Sequence, residues 1–360
     1  MANRIGLKLT VRTFLIVASL LVLSGCWDIK DINHRALPIV MGISKVDGDY
    51  KVYLQVPEPY KGGMQMRVVS GTGTTISEIV DRISANMESS VDLLHLKIIL
   101  LDKSFVQQGV NDSIASFMRS RDISAKTMVV ICSDNLETFF EQLNQAAKRN
   151  STVLYDFFEN SAGWNPQIAQ TRVWELFRSI HSFTHDVAIP IVKAGRSTPI
   201  ESDGSAVIKN GKMVDRISMD ETLLFNAFKG LSTQGRIEVL DHASVLILNN
   251  RMSHKSSIKD NKALLNSRIQ LKVTILETKD NITLDSIRSE LQQLISTRFQ
   301  SMFRRLQAKE ADILGVGQYF RNKVPRDRLA SWRSEYYPSM KLNLEVNTII
   351  QNQGNLRTLD

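Results

Sequence analysis

A ten-residue run without charge, Phe14 to Leu23, leads into Leu-Ser-Gly-Cys at positions 23–26, and Arg4, Lys8 and Arg12 precede it with no acid. This opening constrains the fold most, because it takes its own residues out of the folded part together with one of only two cysteines. A helix needs about 20 apolar residues to cross about 30 Å of hydrocarbon. The uncharged stretch from Thr13 to Trp27 has 15 and stops at Asp28, so it reads as an export signal and not as a spanning helix. With residues 1–25 removed and Cys26 consumed at the new terminus, Cys132 is alone. The chain that remains must then fold on a hydrophobic core without a disulfide.

The order Leu23-Ser24-Gly25-Cys26 resembles the bacterial lipobox, in which the cysteine sulfur takes a diacylglycerol and the chain is cut just before it. Lipidation at Cys26 is therefore expected. A plain signal peptide with an incidental cysteine, and a Cys26 to Cys132 disulfide in an unlipidated chain, are the alternatives. Cys132 lies in "KTMVVICSD", the composition of a buried strand, and is expected to be an inert core thiol.

Residues 26–360 are enough for two or three domains with ample cores. With 43% hydrophobic and 23% charged residues, the composition is that of an ordinary globular protein. The net charge of +8 falls to +5 without Arg4, Lys8 and Arg12, and all of that surplus lies late: 26 basic and 26 acidic residues in 26–259, then 16 and 11 in 260–360. The densest run, "RNKVPRDR", holds Arg321, Lys323, Arg326 and Arg328. On a chain tethered to a bilayer such a run is a candidate membrane or partner surface, at roughly 1 kcal/mol per basic side chain near anionic headgroups. Its plain alternative is a solvated face. Nucleic acid is not expected, since no aromatic residues interleave with the charge.

Apolar runs around Asp47-Gly48 predict a hairpin, and "PEPYKGGMQ" after it reads as a loop. From Arg67 to Cys132 the pattern is strand, helix, strand, helix, strand, which favours parallel pairing through helical crossovers. Thr75 with Glu78, Asp134 with Glu137, and Ser218 with Glu221 have capping-box spacing. "GRSTPIESDG" reads as a domain boundary, Asn210-Gly211 as a second hairpin turn, and the chain closes on a strand with Leu342, Leu344 and Val346 on one face. The expected class is α+β in three domains, each a mixed β-sheet packed with helices: 26–195 with α/β crossovers, a small hairpin and helix unit at 196–258, and 259–360, all after a signal peptide at 1–25.

Candidate chemistry is sparse. Gly71-Thr72-Gly73 before a helix suggests a phosphate cradle, but it lacks the third glycine of a dinucleotide loop and the lysine of a P-loop. His181 and His185, with Asp186 adjacent, have the spacing of two zinc ligands on one helical face, yet they fall where that helix should end and no glutamate follows the first. Histidines there also suit a helix C-terminus. His95 reads as a core or rim histidine. No catalytic set, metal site or cofactor is expected.

"CWDIKDIN" directly after the lipobox, "GTTISEIVDRIS" followed by "HLKIILLD", "SAVIKNGKMVDRISMDET", and "ADILGVGQYF" ahead of Trp332 appear in that order. In these four stretches the chain resembles the Ger(x)C family, the lipoprotein C subunits of spore germinant receptors. The resemblance implies a non-catalytic three-domain α+β protein, lipid-anchored to the outer face of the spore inner membrane. It also implies two integral membrane partners, an A and a B subunit, that respond with it to small nutrients. A solute-binding lipoprotein of an uptake system, with two lobes closing on a ligand, is the alternative.

Overall fold

The computed structural model describes residues 34–61, 63–120, 122–146, 153–159, 165–260, 262–279 and 282–352. A short strand, β1 (Arg35–Ala36), leads to the hairpin β2 (Val40–Val46) and β3 (Asp49–Tyr60), and β3 turns back into β4 (Gly63–Gly73). Asp47 and Gly48 close the first hairpin with φ angles of 51° and 94°, the turn that matches strand twist. The stretch 57–65 is expected as a loop, but residues 57–60 and 63–65 continue the ladder instead, with Pro57 opposite Met66 and Tyr60 opposite Gly63. The two prolines are tolerated because β2 pairs with β3 only as far as Gln55. Beyond it one edge of β3 needs no donors.

Next come α1 (Ile76–Ala85), β5 (Ser90–Val91), β6 (Ile98–Asp102), α2 (Lys103–Gln108), α3 (Asn111–Arg119) and β7 (Met128–Cys132). They are followed by α4 (Leu136–Ala146), α5 (Val153–Phe158), α6 (Val173–Ile180) and β8 (Val187–Ala194). Strands β2, β6, β7 and β8 pair in parallel, as the crossover spacing predicts. Asn135, not Asp134, caps α4, accepting from the backbone N–H groups of Glu137 and Thr138. Asp134 is drawn across the sheet to the Ala194 N–H at 2.7 Å.

The remaining elements are β9 (Ile200–Lys209), β10 (Lys212–Ile217), α7 (Met219–Phe228), β11 (Ile237–Val239), β12 (Ala243–Lys259), β13 (Lys262–Thr278), α8 (Leu284–Ala308) and β14 (Lys341–Asn352). Residues 196–258, expected as a small middle domain, form no sheet of their own. The hairpin β9–β10, closed by Asn210 and Gly211 at φ 49° and 73°, joins the first sheet in the order β10-β9-β8-β7-β6-β2-β3-β4. Strands β11 and β12 belong to the second, ordered β11-β12-β13-β14, while β1 and β5 pair separately. The α+β class holds, with both larger sheets mixed.

Three apolar cores follow. One face of the eight-stranded sheet buries Ile79, Phe105, Ile114 and Leu176, and the other buries Phe139, Phe140 and Leu154. In the third, α8 presents Ile287, Leu291, Ile295, Phe299 and Met302 to Val245, Leu265, Ile269 and Val273, the i, i+4 stripe of a helix laid on a sheet. That core continues through Phe228 to Ala188 and Val207, so the two sheets meet over apolar ground.

Candidate functional site

Polar groups cross the same junction. The turn ahead of β8 carries Thr184, His185 and Asp186, and after α8 the chain runs through "ADILGVGQYF" to a single-turn helix at Val316–Phe320. The Asp186 N–H donates to the Asp312 carbonyl at 2.9 Å, and the Asp312 N–H donates back to Asp186 Oδ2 at 2.8 Å. Arg333 clasps the same carboxylate, Nη2 to Oδ1 at 2.6 Å and Nε to Oδ2 at 3.0 Å. Such a fork on a carboxylate fixes direction as well as charge.

Asp312 is fully buried, and its side chain accepts three hydrogen bonds: from the N–H groups of Val316 and Gly317, each at 2.8 Å, and from Trp332 Nε1 at 3.1 Å. Burial outweighs these donors and pushes its pKa up to about 7. Burial also raises Asp186 against the pull of Arg333, and lowers His185 to about 4. Gln318 Nε2 donates to the Thr184 hydroxyl at 2.6 Å, and Lys209 Nζ reaches Glu310 at 3.0 Å.

The glycines of this motif are there for approach. A Cβ on Gly317 would stand 2.6 Å from Trp332 Nε1 and 2.8 Å from Thr184 Cβ. Gly315 has φ +67°, and a Cβ there would stand 3.3 Å from the His185 ring. The arrangement is a fastening between two sheets.

The other candidates fall elsewhere. Helix α6 ends at Ile180, so His181 caps it in the open while His185 turns inward against Gly315. The two imidazoles and Asp186 form no ligand set. Among the described residues no three His, Cys, Asp or Glu side chains converge as a metal site. Gly71 and Gly73 sit inside β4, where a Cβ on either would be 3.0 Å from Ile79; they let α1 lie on the strand. His95 is exposed at the end of a single-turn helix. Cys132 is buried and free, its thiol pushed up to about 12 by burial, which leaves almost no thiolate. Cys26 and the signal segment lie outside the described residues.

Arg321, Lys323, Arg326 and Arg328 are all exposed. Lys323 is tied down by the carbonyl and hydroxyl of Ser256, and Arg321 touches Gln318 at 3.4 Å. A cleft of about 670 Å³ opens at Arg321, lined also by Phe177, Arg178, His181 and Phe183 among others. The fastening itself was hidden from sequence reasoning, because Asp186 and Arg333 are 147 positions apart. Its one short-range signal was the pair of glycines following Asp312.

Fold and junction define a class of mixed α+β protein whose two sheets are stitched by an added hairpin and a buried ion pair. Residues 28–194 match the spore germination protein N-terminal domain, and residues 203–354 match the domain described as spore germination B3/GerAC like, C-terminal. The chain belongs to this spore germination family, the Ger(x)C family. It is 20% identical to spore germination protein GerQC of Bacillus cereus, over 95% of this chain and 98% of that one. Spore germination protein A3 of Bacillus subtilis is 23% identical over 93% and 95%. The crystal structure of the GerBC protein shares the fold, with a TM-score of 0.57 at 15% identity over 86% of this chain and 96% of that one. In this light β9–β10 is a strand pair that the second family domain adds to the sheet of the first.

Proposed function

We propose that this chain is the lipid-anchored, non-catalytic C subunit of a nutrient germinant receptor. It is held through Cys26 on the outer face of the spore inner membrane beside integral membrane A and B subunits, and is required for germination in response to small nutrients. The carrying observation is the pair of family domains at 28–194 and 203–354, the first beginning just after the Leu-Ser-Gly-Cys signal. The fastening at Asp186 supports a coupling role, since it joins the two domains where a solute receptor would need them to hinge. Arg321, Arg326 and Arg328 are the proposed contacts to membrane or partners.

Intact mass of the protein extracted from spore inner membranes tests the anchor: the chain should begin at Cys26 and carry diacylglycerol. Two acyl chains hold a protein durably, at about 0.8 kcal/mol per buried CH₂. Recovery of the A and B subunits with the tagged wild type, and their loss with Cys26→Ala, tests the assignment. An unmodified Cys26, or tight binding of a free solute without either partner, would overturn it.

A further inference from the structure

The charge on the outer face of the four-stranded sheet is nearly all positive. Its other face is covered by α8, whose apolar stripe packs on Leu265, Ile269, Leu271 and Val273. Register fixes what points outward. Arg251 lies opposite Gln270, Lys255 opposite Asn266, and Lys259 opposite Lys262. Arg268 lies opposite Glu345, Lys272 opposite Ile349, and Lys341 opposite Leu264. Directly opposed residues share a face, so Arg251, Lys255 and Lys259 of β12, Lys262, Arg268 and Lys272 of β13, and Lys341 of β14 stand on one side. All are exposed. Among the described residues the one carboxylate facing them within this array is Glu345, paired with Arg268 at 2.9 Å; Asp260 and Glu277 sit at the two ends. Toward the β11 end the same sheet exposes Ile237 by 47%, Val239 by 70% and Leu276 by 43%.

We infer that this face rests on an anionic lipid surface. An ordinary solvated face mixes both signs in comparable number, whereas this one sets seven cations against Glu345. A protein-binding face concentrates aromatic residues and arginine and is poor in lysine, whereas these outward positions are lysine-rich with no aromatic residue. Lysine is a flexible point charge suited to a diffuse negative surface. Strands of 17 residues, β12 and β13, make a ribbon about 55 Å long. The exposed apolar end suits the boundary between headgroups and acyl chains. The inference deepens the tethered reading and relies on it to bring the sheet near lipid.

Acetylation of lysines by a water-soluble reagent tests it on the full chain reconstituted into vesicles of phosphatidylcholine alone or of phosphatidylcholine with phosphatidylglycerol. With anionic lipid, Lys255, Lys262, Lys272 and Lys341 should lose reactivity by about threefold or more, with Lys97 and Lys126 unchanged and high salt restoring it. Joint replacement Lys262→Glu, Lys272→Glu and Lys341→Glu should abolish the protection of Lys255 without moving the melting temperature. Equal reactivity in both vesicles, with the chain retained on both, overturns the inference and leaves the tether standing. A chain that washes off neutral vesicles yet shows the footprint on anionic ones upholds the inference and removes the tether. Protection in neutral vesicles that appears only with the A and B subunits present assigns the face to an acidic protein and overturns it.

Discussion

Arg333 and Asp186 form a two-pronged ion pair, at 2.6 and 3.0 Å, that joins the two family domains across a site where Asp186 is fully buried. Removing one partner of such a pair leaves the other charge buried and uncompensated, at about 3–5 kcal/mol. Arg333→Ala should therefore lower the unfolding free energy by that order, read from urea melts. Arg333→Lys should recover only part of the loss, since an ammonium cannot make both bonds of the fork. Equal stabilities for the Lys variant and the wild type would show that charge alone, and not the fork, matters.

Gly317→Ala adds one methyl where Trp332 Nε1 and Thr184 Cβ stand within 2.8 Å. Overpacking of this kind costs about 1–3 kcal/mol. Thermal melting should show the loss, and the emission of the buried Trp332 should shift to the red as its ring is displaced from Asp312. The same substitution at exposed Gly235 meets no atom within 4 Å, though its φ of +82° carries its own strain, so Gly235→Ala should leave Trp332 emission unchanged.

The pH profile of stability contains two opposing slopes. Burial raises Asp312 to about 7, so the folded chain keeps a proton that the unfolded chain gives up near pH 4. Its contribution falls as pH rises from about 4 to about 7. Burial lowers His185 to about 4, so the unfolded chain takes up a proton near pH 6.5 that the folded chain refuses. That contribution falls as pH drops from about 6.5 to about 4. Each slope is at most about 1.4 kcal/mol per pH unit. The contributions of these two groups oppose each other across the shared window. His185→Gln should become less stable as pH rises, and Asp312→Asn less stable as pH falls. Asp186 and Glu238, also raised by burial, add a slope of the same sign as that of Asp312, so the tilt of each variant is read against the wild type. Two variants tilting the same way would contradict these assignments.

Much of the fold was legible because it is written locally. Asp47-Gly48 and Asn210-Gly211 announced their turns, and Ser218 with Glu221 closes its capping box, Glu221 N–H to Ser218 Oγ at 3.1 Å and Ser218 N–H to Glu221 Oε2 at 2.9 Å. The i, i+4 stripe of α8 is likewise local. The failures were matters of partnership. Nothing in residues 200–217 says that Ile208 will lie beside Val187 in another sheet. Nor does Ala243 to Lys259 reveal that its alternation, half polar and half apolar, forms one 17-residue strand. The histidine pair failed for a local reason: α6 ends one residue before His181, so the helical face that would align His181 with His185 never forms.

The basic run offers the last prediction, because its four cations are not equivalent. Arg326 and Arg328 project from a single-turn helix with no partner among the described residues, and Arg321 makes only a long contact to Gln318. Exchange of such exposed side chains changes stability within about 0.5 kcal/mol. The triple variant Arg321→Glu, Arg326→Glu and Arg328→Glu should melt with the wild type yet recover less of the A and B subunits and germinate poorly on nutrients. Lys323→Glu should behave otherwise. Its ammonium binds the carbonyl and hydroxyl of Ser256, and a carboxylate there would face two oxygens, so this variant should lose about 1 kcal/mol or more. Melting curves and partner recovery measured on both variants separate surface from support. A triple variant that keeps full partner recovery and germination would remove the arginines from the coupling surface while leaving the role of Lys323 intact.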